Sequence, residues 1–167
     1  MSTSTRIELR SEIELTREKF HRFLVTIPDS ILKLPSKDSG WKNGELLYLM
    51  SVAPRIIKSV LKKHLRENPR QGYISRNITG PLLQKTGEMI IRSRGHNSTR
   101  WMIATEYDNT YALVLELLNA ISDDDFDKTL NIPDIDPLLP TQLTIESLFH
   151  YVKNHFDIYS KQINFDG

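Results

Sequence analysis

The sequence predicts an all-α protein, four longer helices with one or two short ones, folded as a single domain over residues 1–167. Two observations predict it. Apolar residues recur at three- and four-residue steps through four separate stretches, and no segment shows the period-two alternation of a strand. No internal repeat recurs either, which sets solenoid architectures aside. With 39% hydrophobic and 26% charged residues, a chain of this length can bury roughly 70% of its unfolded surface in one core.

The first helix is expected over Ile7 to Val25, with Ile7, Ile13, Leu15, Phe20, Phe23 and Leu24 on its apolar side and Pro28 as its stop. From Pro28 to Gly40 the prolines, serines and acids predict a loop that buries little. A second helix should run from Trp41–Asn43 to about Glu67, placing Leu46, Leu49, Met50, Ala53, Ile56, Ile57, Val60, Leu61 and Leu65 inward. Pro54 falls inside it. A proline there removes a hydrogen bond at a cost of about 3 kcal/mol, so a kink or local break is expected. Asn68-Pro69 with Gly72 then ends the element.

Gly80-Pro81 is read as opening a short helix over Leu82 to Ile91, and residues 92–99 as a turn-rich connection. From Thr99 a helix of about twenty residues is expected, carrying Trp101, Ile103, Ala104, Tyr107, Tyr111, Val114, Leu115 and Leu118 inward. Ser122 reads as an N-cap ahead of Asp123, Asp124 and Asp125. Asp123, Asp125 and Asp127 have the spacing of a calcium loop, but Lys128 stands where the loop's glycine must be. After an extended stretch with Pro133, Pro137 and Pro140, the last helix is expected over Leu143 to Ile163, with Leu148, Val152, His155, Tyr159 and Ile163 on one face.

Composition narrows the function. There is no cysteine, hence no disulfide, thiolate nucleophile or Cys-ligated zinc. No window approaches the ~18 apolar residues of a membrane span, and the N-terminal Met1 to Arg6 has no apolar stretch, so no membrane partner and a cytoplasmic location are expected. Net charge is +1, but residues 55–100 hold eleven Lys/Arg against two acids, and residues 101–167 three Lys against twelve acids. The simplest account is basic and acidic helices lying side by side. The others are a basic mouth for an anionic ligand and, weakest, a nucleic-acid surface through residues 55–100. Arg92, Arg94, His96 and Arg100 lie in that region, where only Trp101 and Tyr73 are near enough to stack bases.

Two stretches carry a resemblance. Gly40-Trp41-Lys42-Asn43-Gly44-Glu45-Leu46-Leu47-Tyr48-Leu49 resembles a segment of the DinB/YfiT-like superfamily in which a tryptophan opens the second helix. There an acid or amide follows four positions later, and a metal-binding histidine eight. His155-Phe156-Asp157-Ile158-Tyr159-Ser160-Lys161-Gln162-Ile163 resembles the family's last-helix pattern of His, three residues, His, two residues, Gln-Ile. Their order and separation agree over about residues 7–165. The resemblance implies a four-helix bundle, commonly a homodimer, holding a divalent metal such as nickel or zinc on three histidines. In members with the full triad it also implies thiol-dependent transferase or isomerase chemistry with a small, carboxylate-bearing thiol.

Of that triad this chain keeps His155, with Leu49 and Tyr159 at the other two positions. Two imidazoles at i and i+4 with a third from a facing helix would leave open metal positions; leucine ligates nothing, and Tyr159 could do so only as a phenolate. The expectation is therefore a DinB-like bundle without the standard metal centre, binding a small anionic or thiol ligand or a protein partner where Leu49, His155 and Tyr159 meet. The alternative is a metal-dependent transferase or hydrolase in a remodelled site using His155 and Tyr159, as base and acid or as ligands. Among the other histidines, His150 lies about 140° round the helix from His155 and should be at the surface, and His64 is about 22 Å along the axis from Leu49. His21 and His96 have no partner at ligand spacing. Trp41 and Trp101 are expected to pack structurally, and Glu106, Asp108 and Glu116 to face solvent.

Overall fold

The computed structural model describes the backbone of residues 2–38, 40–66, 80–132, 134 and 136–166, with side chains except at 2–4, 63–66 and 80–86. The protein is mostly helical with one small two-stranded sheet. Its elements are α1 (Ser2–Thr26), α2 (Asn43–Val52), α3 (Ile56–Arg66), α4 (Gly80–His96), α5 (Arg100–Ala120), β1 (Thr129–Asn131), β2 (Gln142–Thr144) and α6 (Ile145–Tyr159).

In α1 the buried positions are Leu9, Ile13, Thr16, Phe20 and Leu24, steps of three and four that define one stripe. Ile7 and Leu15 were expected on it, yet they are 63% and 47% exposed. Helix geometry sets them on the opposite side from Ile13 and Phe20, where apolar character alone could not distinguish them. The following loop buries more than its composition suggests. A 3-10 turn at Asp29–Ile31 turns Ile31 inward, and Gly40, at φ 65°, makes the return that only glycine adopts without strain. The fully buried Asn43 amide then donates to the carbonyls of Ile31 and Asn164 and accepts from the Asn164 N–H, tying loop and C-terminal tail to the start of α2.

The break at Pro54 is present: α2 stops at Val52, a 3-10 turn covers Ala53–Arg55, and α3 begins at Ile56. The described part of α3 ends at Arg66, so the stop at Asn68-Pro69 lies outside the described residues, as do the side chains of His64 and Leu65. α2 is buried on more than its predicted face, Leu47 and Tyr48 included, because α4 lies across it. α4 also runs on through Arg92 to His96, where a turn was expected. Tertiary contacts hold that extension. Arg92 stacks 4.3 Å over Trp41, and the Ser98 hydroxyl caps the helix end by donating to the Arg94 carbonyl.

α5 starts on Thr99, whose hydroxyl accepts from the Met102 N–H, and buries Ile103, Tyr107, Thr110, Val114 and Leu118. Trp101, expected to pack, is 74% exposed. Ser122 does not cap; Asp123–Asp125 form a 3-10 turn, and Lys128 pairs with Asp125. The helical expectation is met over most of the described residues, but it missed β1 and β2, which pair antiparallel with Leu130 and Leu143 opposite one another and both buried. Strands of three residues are too short to display a period of two. Leu143 therefore belongs to β2, and α6 begins at Ile145 with Thr144 accepting from the Ser147 N–H.

The pairings fix directions. Arg10 reaches Asn119 and Arg17 reaches Asp108, so α1 and α5 are antiparallel. Glu12 meets His150 while Phe20 and Phe23 meet Phe156, so α1 and α6 run parallel. α2–α3 runs with α5 and against α6: Leu46 and Leu47 share one apolar cluster with Ile103 and Phe156, and Ile57 and Leu61 share another with Val114, Leu118, Leu148 and Phe149.

Where α2 and α4 cross, the backbones touch. A Cβ on Gly95 would fall 2.6 Å from the Glu45 Cα and 3.2 Å from the Tyr48 Cβ, whereas one on Gly87 would meet nothing. Gly95→Ala should therefore destabilise the protein by about 1–3 kcal/mol, while Gly87→Ala should be neutral or stabilise it by up to about 1 kcal/mol. Urea unfolding of the two variants checks the contrast.

Candidate functional site

α6 presents Tyr151, His155 and Tyr159 at intervals of four, one above another. The His155 ring centroid lies 5.2 Å from that of Tyr151 and 4.4 Å from that of Tyr159. His155 is fully buried and its Nε2 has no hydrogen-bond partner among the described residues. Burial holds its pKa down to about 3, so the ring is neutral at physiological pH. Tyr159 is half-buried, and its pKa is raised by burial and then by Asp136. Leu49, also half-buried, borders the same apolar cluster as Tyr159.

The sequence reading missed two members of this group. The Tyr151 hydroxyl donates to Asp136 Oδ2 at 2.7 Å, and burial together with Asp136 pushes that phenol well above its ordinary pKa. Tyr151 stands one turn before His155 as Tyr159 stands one turn after, a signal that was legible. Asp136 comes from the β1–β2 connection, where no spacing rule places it. That connection also walls a hollow of about 300 Å³ with Leu138, Leu139 and Pro140 facing Ser147, His150 and Tyr151 of α6.

A divalent metal finds a poor donor set here. His155 Nε2 could be one ligand, Leu49 offers none, and burial opposes the phenolate that Tyr151 or Tyr159 would need to become. Among the described residues no three His, Asp or Glu groups gather at ligand distance.

The remaining candidates hold helices together. His150 bonds Glu12 at 2.7 Å, bridging α6 to α1 at a half-exposed position. Asp108, expected to face solvent, accepts on one oxygen from Arg17 Nε at 2.7 Å and contacts His21 Nε2 at 2.8 Å. Burial pushes its carboxyl up, but these two partners outweigh that and hold it below the usual carboxylate range. Glu106 likewise pairs with Arg55, which also donates to Thr110, while Glu116 is exposed as expected. His96 lies 3.3 Å from the Lys42 ammonium. Arg94 bonds the Tyr48 hydroxyl, and Arg100 donates to the Ile27 carbonyl and to Asp29. Of the arginines in the basic stretch whose side chains are described, Arg55 and Arg100 thus pair with carboxylates, whereas Arg92 and Arg94 meet aromatic side chains.

Against known proteins the fold has a counterpart. The chain is similar to a crystal structure of an uncharacterised protein from Clostridium difficile 630, with a TM-score of 0.65 over 95% of this chain and 92% of that one, at 13% identity. The likeness is one of fold alone. No family model matches the chain, and no curated protein matches it significantly.

Buried neutral, His155 makes stability pH-dependent. Its folded pKa lies below the unfolded 6.5, so its contribution is intact above pH 6.5 and is lost as pH falls towards 3, when the unfolded chain takes up a proton the folded one excludes. Between pH 7.5 and pH 5 this removes about 2 kcal/mol. Urea unfolding at the two pH values should show that loss shrinking by about the same amount in His155→Leu and His155→Gln.

Proposed function

We propose that the chain is a DinB/YfiT-like four-helix bundle in which an imidazole–phenol cluster replaces the metal centre, and that it works as a small-ligand-binding or interaction protein rather than as a metalloenzyme. The parallel pairing of α1 with α6 and of α2–α3 with α5, with α4 as the long crossover, is the arrangement such a bundle needs. The observation that carries the reading is the His155 Nε2, sealed from solvent with no partner among the described residues and flanked by Tyr151 and by Tyr159, the second of which stands where a further ligand would be required. A neutral imidazole of this kind offers a ligand one hydrogen bond. The hollow that ends at Tyr151 supports an approach from the β1–β2 side, and the expected ligand is a small anionic or thiol compound.

One observation favours the enzyme reading, in which His155 and Tyr159 serve a transferase or hydrolase: their rings lie 4.4 Å apart with the imidazole Nε2 uncommitted among the described residues. Against it, a group with a pKa of about 3 is a weak base at neutral pH. Elemental analysis of untagged protein prepared without chelator separates the two. Neither wild type nor His155→Ala should carry near-stoichiometric metal; nickel or zinc present in the first and lost from the second would establish the enzyme reading instead. On the same samples, a thermal-shift screen of acidic thiols and nucleotides should raise Tm for at least one compound, and His155→Ala should abolish that rise.

A further inference from the structure

Charge is unevenly placed along the hollow of about 300 Å³ beside α6. His150 and Lys153 line it with side chains 41% and 40% exposed, so they stand at its mouth, whereas Leu139, Leu143 and Tyr151 are buried. Lys153 brings a cation to the mouth, held there by Asp157 at 2.7 Å. At the inner end the charge has the opposite sign. There Tyr151 meets Asp136, whose two oxygens accept from the Leu138 N–H at 2.8 Å and from the Tyr151 hydroxyl at 2.7 Å.

Among the described residues no cation pairs with Asp136, so its charge is met by neutral dipoles alone. That charge reaches into the aromatic stack. It bears on both phenols that flank His155 and disfavours the ionisation of each, and no described cation acts against it there. An anion placed at His155 Nε2 would meet the same repulsion, and it would lose its hydration without gaining a counter-ion. Tyr151 cannot compensate, because its hydroxyl hydrogen is already given to Asp136. An uncharged amide or hydroxyl avoids both costs and still makes the hydrogen bond that Nε2 lacks.

We propose that Asp136 sets the specificity of the His155 site: the ligand presents an uncharged hydrogen-bonding group to Nε2, and any anionic part of it stays at the mouth of the hollow beside Lys153. This rests on the small-ligand reading above and narrows its ligand class. Benzamide and benzoate test it, having nearly the same shape and different charge. Titrated into the full chain carrying isotope-labelled histidine, benzamide should shift the ring-nitrogen signal that His155→Gln removes, and should bind at least about tenfold more tightly than benzoate. A carboxylate at the far end, in para-carbamoylbenzoate, should add affinity that Lys153→Met takes away, and terephthalate should not bind. Asp136→Asn, which keeps an oxygen for the Tyr151 hydroxyl, should strengthen benzoate and bring the ratio within about threefold. The wild-type ratio and Lys153→Met decide the matter even where Asp136→Asn fails to fold. Benzoate equal to benzamide at His155 would overturn the inference, as would benzamide that leaves the His155 signal unmoved, a preference that survives Asp136→Asn, or para-carbamoylbenzoate indifferent to Lys153→Met. The small-ligand reading fails separately, when no compound in the thermal-shift screen binds in a His155-dependent way.

Discussion

Pro54 has no N–H to donate, and the helix that contains it must give way there. The 3-10 turn at Ala53–Arg55 divides one long element into α2 and α3, and the core divides at the same level. On one side α2 packs Leu46, Leu47 and Met50 with Phe20, Tyr107 and Phe156; on the other α3 packs Ile57, Val60 and Leu61 with Val114, Leu148 and the β-hairpin residues Leu130 and Leu143. Between the two clusters lies a layer of buried polar residues, one from each neighbouring helix: Thr16 of α1, Thr110 of α5 and His155 of α6. Arg55, the residue that the broken turn turns towards α5, donates to Thr110 and pairs with Glu106 in this layer. The proline thus fixes where the polar layer falls, and the layer fixes the surroundings of His155.

Much of this was legible in the sequence. The periodic stretches gave α1, α2–α3, α5 and α6, and Pro54 announced its break, because burial of a stripe and loss of one N–H are local consequences of residue type. The errors have one cause, which is that tertiary partners decide between locally equal choices. Ile7 and Leu15 are as apolar as Leu9 and Ile13, yet only the second pair faces the interior. Residues 92–96 look like a turn until Trp41 and the gap at Gly95 receive them. β1 and β2 exist because Leu130 and Leu143 close one end of the core together, a pairing across a loop that no window sees. At the site the division is the same: the 151, 155 and 159 spacing could be read along α6, whereas Asp136 arrives from elsewhere.

The charge pattern follows from the same packing. Arg6, Arg10 and Arg17 of α1 meet Asp123, Asn119 and Asp108 in a ladder down the α1–α5 seam, and Arg55 meets Glu106 on the other flank of α5. These groups are part-exposed, so each pair contributes at most about 1 kcal/mol. Their larger effect is on register, since sliding α1 against α5 by one turn would leave several of them without partners at once. The net charge near zero therefore conceals an arrangement that specifies how the helices align.

The polar layer raises a sharper question about His155. The Thr16 hydroxyl donates to the Glu12 carbonyl, Ser51 to that of Tyr48, and Thr110 accepts from Arg55, so each of these buried groups is satisfied nearby. Nε2 of His155 is not. An unmet buried polar atom costs about 1–3 kcal/mol, and a leucine or phenylalanine between Tyr151 and Tyr159 would avoid it. Stability therefore gives no reason for a histidine at this position. The cost falls on one nitrogen, held neutral between the rings of Tyr151 and Tyr159, and no described residue offsets it with a hydrogen bond.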